Sequence, residues 1–254
     1  YIYLILFNQH LMLENYLILS YLCVIITFQS IIGVGVLVLG TPFLLILKFN
    51  IIEIFFILLP VSIITSLLNL LIINFSNKSL EKSTFAEFKK FFIVCIPSTL
   101  IGLILLKLLN DYLNFKLLVA FVILISIFLV FLKDKIKFQI NFFRISILSI
   151  IGVVHGLTNS GGTLMSLALS ANSKKNYARL NTTFFYFVLA ALQYFLTIII
   201  FYDRFFFPGN IKVVLSLIFG VIIGNFINQY LKSKTYKTIV NFLAGISAII
   251  LVLV

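Results

Sequence analysis

Apolar stretches of about 18 residues or more follow one another along this chain, separated by short charged linkers, and each is long enough to cross a bilayer as a helix. In hydrocarbon every backbone N–H and C=O must be satisfied within the structure, and continuous apolar runs of this length satisfy them as helices. The sequence therefore predicts an all-α polytopic membrane protein. Composition agrees: 62% of the 254 residues are hydrophobic and 10% are charged, with a mean hydropathy of +1.22. Too few polar side chains remain to cover a soluble domain. The formal charge of +12 is no nucleic-acid signature, because Lys and Arg sit singly or in short clusters between spans, where the positive-inside rule expects them. The expected partners are the bilayer and a small anionic ligand, with no nucleic acid; a homo-oligomer is compatible with this composition.

Two of the apolar runs are interrupted. Residues 145–171 hold the stretch G-V-V-H-G-L-T-N-S-G-G-T-L-M-S (152–166), with four glycines, a histidine, an asparagine and several hydroxyls. Residues 16–47 hold F-Q-S-I-I-G-V-G-V-L-V-L-G-T-P (28–42). Irregular backbone survives at membrane depth only where protein buries it or where it lines a wet cavity, and discontinuous segments of this kind point to a transporter's binding site. Pro42 fits the first turn of a second half-helix.

The order of elements repeats. Each interrupted run is followed by three uninterrupted spans, near 52–73, 88–109 and 113–132, then near 180–202, 211–231 and 236–254. A shift of 126 residues lays Gln29 on His155 and Gly35 on Gly161, and a shift of 122 lays the span from Ile101 on that from Ile223. The expected organisation is an N-terminal segment (1–15), read as a truncated helix or an interfacial anchor, a first repeat (16–132), a basic connecting loop (133–144) and a second repeat (145–254). If the interrupted runs cross fully, Lys and Arg divide evenly between the two faces. If both return to their own side as re-entrant hairpins, most fall on one face, in the loops near 78–90, 133–144, 174–179 and 232–237. The second arrangement satisfies the positive-inside rule and gives halves of inverted topology.

In the hairpin arrangement the glycine-rich tips, 33–42 and 158–163, meet near mid-membrane. Each leads into a helix start whose amides and dipole favour an anion. The candidate substrate-binding residues are Gln29, Gly33, Gly35, Thr41, His155, Asn159, Ser160, Gly161, Gly162, Thr163, Asn181, Thr182 and Gln193. His155 is the one histidine inside a long apolar run, and ionisable groups at that depth are functional candidates. A neutral histidine bonded to a neighbouring helix is the alternative reading. Gly152 with Gly156, and Gly220 with Gly224, carry the small-x-x-x-small spacing of close helix packing. Cys23 and Cys95 lie in apolar segments and read as packing residues. No second ligand stands at metal spacing from His155, and no cofactor or enzyme motif is present. An intramembrane enzyme using His155, and a membrane partner protein whose polar residues only join helices, are the rival readings.

The motifs G-V-G-V-L-V-L-G-T-P (33–42), N-S-G-G-T-L-M-S (159–166) and A-x-x-N-T-T (178–183) resemble those of the TauE/SafE family, the sulfite and organosulfonate permeases. Val36 and Leu37 stand where the family pattern favours glycine, and no proline in the second half matches Pro42. The resemblance covers about residues 16–254. It implies a permease or exporter moving sulfite or another sulfur-containing anion across a bacterial inner membrane.

Overall fold

A computed structural model describes residues 16–76, 85–110, 112, 114–136, 145–172, 175–205 and 210–232, with isolated helical positions between 235 and 249. The N-terminal segment 1–15, most of the basic loop 133–144 and most of the last predicted span lie outside the described residues. The elements are α1 (Tyr16–Ile32), α2 (Val36–Ile46), α3 (Ile51–Ser76), α4 (Phe85–Leu109), α5 (Phe115–Ile136), α6 (Ile145–Thr158), α7 (Gly161–Asn172), α8 (Lys175–Ile200) and α9 (Ile211–Tyr230), with a 3-10 turn at Tyr202–Arg204. No strand occurs among the described residues. Four helices, spanning Ile51–Ile73, Glu87–Leu109, Lys175–Ile200 and Ile211–Tyr230, are long and apolar enough to cross a membrane.

Local chemistry sets the boundaries. α2 ends in a Schellman turn: Lys48 takes φ 65, its N–H bonds the Leu45 carbonyl, and the Phe49 N–H bonds that of Leu44. α3 opens two residues later with a capping box, in which Asn50 Oδ1 accepts from the Ile52 N–H and Glu53 Oε2 from the Asn50 N–H. Asn210 caps α9 in the same manner, accepting from the Lys212 N–H.

Both interrupted runs fold back on themselves. Tyr21 of α1 stacks on Phe43 of α2, ring centroids 3.6 Å apart, and its hydroxyl donates to the Leu39 carbonyl, so α2 runs antiparallel to α1. A Cβ on Gly35 would meet the backbone of Gln29 and Ile25; one on Gly161 would meet that of His155 and Ile151. Every one of these pairs is related by the 126-residue shift. The turns match as well, Gly33 at φ 98 and Asn159 at φ 65. Pro42 falls well inside α2 and not in its first turn, because the Gln29 side chain starts that helix six residues earlier, at Val36.

The hairpins are locked by exchange between halves. α6 packs along α4 through Gly102, Gly152 and Gly156, where an added Cβ would collide with Val153, Ser98 and Thr99. α9 packs along α1 through Gly220 and Gly224, against Ile26, Cys23, Ser30 and Thr27. Gly224 and Gly102 are partners under the 122-residue shift, as Ser30 and Gly156 are under the 126-residue shift. The contacting positions of the two crossings thus correspond, and the glycine pairs serve packing as their spacing predicts. In both, the paired helices run parallel. α3 and α8 cross antiparallel at the centre, with Phe56 edge-on to Tyr194 at 6.5 Å and Asn69 linked through Asn225 to Arg179.

Candidate functional site

The first hairpin closes around Gln29. Its amide nitrogen donates to the Ser62 carbonyl and the Ser66 hydroxyl, both at 2.9 Å, and its oxygen accepts from the Val36 N–H at 3.0 Å. A side chain seven residues upstream thus caps α2. The next amide, Leu37 N–H, is bonded by the Tyr186 hydroxyl of α8 at 3.3 Å. Gly33 sits against Arg179 and Thr183 of α8, and its positive φ is one that glycine adopts without a Cβ penalty.

The second hairpin closes by backbone and hydroxyl bonds. The Asn159 N–H bonds the His155 carbonyl at 2.8 Å, and the Thr163 N–H bonds that of Ser160 at 3.0 Å. Ser160 donates twice to Thr158, its N–H to Oγ1 and its hydroxyl to the carbonyl. Gly161 and Gly162 are demanded by packing: a Cβ on the first would overlap the Ile151 carbonyl and His155, and one on the second the Tyr186 ring. Asn159 Nδ2 donates to Thr41 Oγ1 of α2 at 3.3 Å. Tyr186, against Gly162 on one side and Leu37 on the other, joins the two hairpins. Gln193 of α8 donates its amide to the His155 carbonyl at 3.0 Å.

The two hairpins differ in what they leave unbonded. His155 Nδ1 and Nε2, Asn159 Oδ1, Thr163 Oγ1, Thr182 Oγ1 and Gln193 Oε1 are buried without a protein partner. His155 is wholly buried, with its ring edge-on to Tyr186 at 6.2 Å between centroids. Gln29, in the matching place, is fully bonded. Each buried polar atom left without a partner costs about 1–3 kcal/mol, so six atoms on α6, α7, α8 and the tip between α6 and α7 form a concentrated deficit. Asn181 is not among them; its Nδ2 donates to the Tyr177 carbonyl of its own helix.

One group was not foreseen as a site residue. Arg179 reads in the sequence as a loop charge, yet it lies in the second turn of α8, where Nη2 donates to the Ser30 carbonyl and to Asn225 Oδ1, each at 2.6 Å. Asn225 donates to Asn69 Oδ1 at 2.6 Å, and Asn69 to Ser30 Oγ at 3.0 Å. The ring of bonds joins α8, α9, α3 and α1. One turn earlier, Lys175 Nζ donates to the Asn228 and Leu231 carbonyls at the end of α9. Cations are favoured at helix C-termini. The four-residue spacing of Lys175 and Arg179, which puts both on one helix face, was the available signal. No cluster of metal-ligating side chains occurs among the described residues.

A multi-pass helical bundle in which two broken helices turn back, one of them carrying unsatisfied polar groups into an apolar interior, has the build of a membrane transporter. The chain belongs to the sulfite exporter TauE/SafE family, whose model matches residues 17–251, a family of membrane transporters for sulfur anions. Comparisons with curated proteins and with solved structures gave no match.

Proposed function

We propose that the chain is a secondary carrier for sulfite or an organosulfonate in a bacterial inner membrane, with its ligand bound where α7 begins. The observation that carries this reading is the contrast between Gln29 and His155. The start of α2 is closed by protein, through Gln29 on Val36 and Tyr186 on Leu37. The start of α7 faces a histidine with neither nitrogen bonded, together with Asn159, Thr163 and Gln193 atoms in the same condition. First-turn amides and the helix dipole attract an anion, and hydroxyl, imidazole and carboxamide groups give it orientation. Thr41, Ser160, Gly161, Gly162 and Thr182 complete the site; Gln29, Gly33 and Gly35 support it by holding the opposite hairpin in place.

The chain divides on this reading into repeats 16–132 and 145–254 joined by a basic loop, and the repeats have inverted topology. The copied crossings of α4 on α6 and α9 on α1, and the antiparallel contact of α3 with α8, support that relation. Rocking one hairpin and its partners against the other about the α3–α8 contact would expose the ligand alternately to each face.

The test is thermal stability of the detergent-purified chain against sulfite, sulfoacetate, taurine, sulfate, thiosulfate and chloride, followed by sulfite flux in proteoliposomes. A ligand at about 100 times its Kd adds about 2.7 kcal/mol to the folded state. A selective rise with a sulfur oxyanion, absent in His155→Ala, is expected. A flat response to the whole panel, with no flux, would sink the proposal.

A further inference from the structure

We infer that the second hairpin takes its ligand as a singly charged, hydrogen-bond-donating oxyanion, hydrogensulfite in place of the sulfite dianion. The inference rests on the carrier reading above and narrows its substrate.

Three observations carry it. The first is charge. The buried polar side chains among the described residues are Gln, Ser, Thr, Asn and His155, with no lysine, arginine or carboxylate. The basic groups nearest in the fold are committed elsewhere: Arg179 to the end of α1, Lys175 to the end of α9 and Lys107 to the Ile200 carbonyl. A helix N-terminus supplies about half a positive charge, which offsets part of one negative charge and little of two. Burying an uncompensated second charge would be costly.

The second is the orientation of Gln193. Its amide faces the His155 carbonyl, and a carbonyl can only accept, so the amide nitrogen must lie there and Oε1 must point away. That oxygen is buried without a partner. It is an acceptor, and an anion with acceptors alone would meet it with repulsion. The O–H of hydrogensulfite meets it with a bond.

The third is the mixture around it. The Thr163 and Thr182 hydroxyls and the Gly161 and Gly162 amides that open α7 can donate to the bare oxygens. A neutral imidazole presents one donor and one acceptor, and Asn159, bonded to a hydroxyl that both donates and accepts, can turn either end of its amide to a ligand. A protonated oxyanion complements such a set, whereas sulfate, doubly charged at neutral pH and lacking a donor, fails on both counts. A site built for a ligand's O–H rejects the analogue that lacks it, because its own acceptor is then left unpaired.

The experiment is anaerobic calorimetric titration of the full detergent-purified chain with sulfite, selenite and methanesulfonate. Selenite loses its second proton at higher pH than sulfite; methanesulfonate carries one fixed charge and no O–H. The titratable side chains at the site are His155 on α6 and Tyr186 on α8, while Cys95 on α4 bonds the Leu148 carbonyl, so the ligand's titration must be separated from theirs. Over about pH 6 to 9 the apparent Kd for total sulfite should rise about tenfold per unit above the ligand's own ionisation, following the protonated fraction. The selenite curve should be displaced to higher pH. Methanesulfonate should bind about tenfold or more weaker than sulfite at low pH and without that slope. In Gln193→Leu, sulfite should lose about tenfold while methanesulfonate, relieved of the facing acceptor, binds as well or better. Sulfite affinity that is flat or improves as pH rises would overturn the inference. So would a midpoint shared by sulfite and selenite, which would put the titration on the protein, or methanesulfonate binding as tightly as sulfite. Absence of binding by all three, at every pH, would defeat the carrier reading and this inference with it.

Discussion

A glutamine side chain offers two donors and an acceptor oxygen, and Gln29 spends them on Ser62, Ser66 and the Val36 N–H. A histidine in the matching place cannot reproduce that pattern, and the start of α7 keeps its polar groups for another partner. Gln29→Leu should therefore lower stability by about 1–3 kcal/mol for each buried group it orphans, read as a lower melting temperature in detergent. His155→Gln should do the reverse: it supplies a cap like that of Gln29, so the melting temperature of the ligand-free chain should hold or rise while the ligand-induced shift disappears. A variant that loses both stability and ligand response would refute that division of roles. Arg179→Leu strips the Ser30 carbonyl and Asn225 Oδ1 of their shared donor and should be markedly destabilising, with Arg179→Lys recovering only part, since an ammonium lacks the planar fork.

At the scale of elements, glycines decide how closely helices approach, and the expected cost depends on what a methyl group would strike. A Cβ on Gly156 would run into the Thr99 carbonyl, part of a rigid helix backbone; one on Gly40 would touch Leu58 Cδ1 at 2.7 Å, the flexible end of a side chain. Gly156→Ala should therefore prevent the α4–α6 crossing and greatly reduce the folded yield, while Gly40→Ala should be tolerated. Size-exclusion profiles of the two variants make the comparison. The breaks themselves were legible in the sequence, because glycine and polar clusters inside an apolar run have few structural meanings. Their detail was less so. Pro42 suggested a helix start where the fold has a helix interior, because the true start is set by Gln29, a contact between residues too far apart for local patterns to report.

For the whole molecule, the fold-back of α1–α2 and α6–α7 fixes which helix ends share a face. Single cysteines at Lys48, Asn110 and Arg204, in a background of Cys23→Ser and Cys95→Ala, should react with an impermeant thiol reagent from one side of the membrane. Those at Lys89 and Lys232 should react from the other. Labelling of the Lys48 and Lys232 positions from the same side, or of the Lys48 and Arg204 positions from opposite sides, would contradict the hairpins and the inverted relation of the halves. The sequence by itself determined the helical class, the long apolar runs and the residues at the two breaks, because apolar length and glycine placement act locally and leave a periodic record. Only the tertiary structure decided that Gln29 is spent and His155 is not, that Arg179 joins four helices, and that Tyr186 stands between the hairpins. Those outcomes depend on which side chains meet across sequence separations of 33 to 149 residues, and hydrogen-bond partners at such separations are chosen by packing and not by spacing.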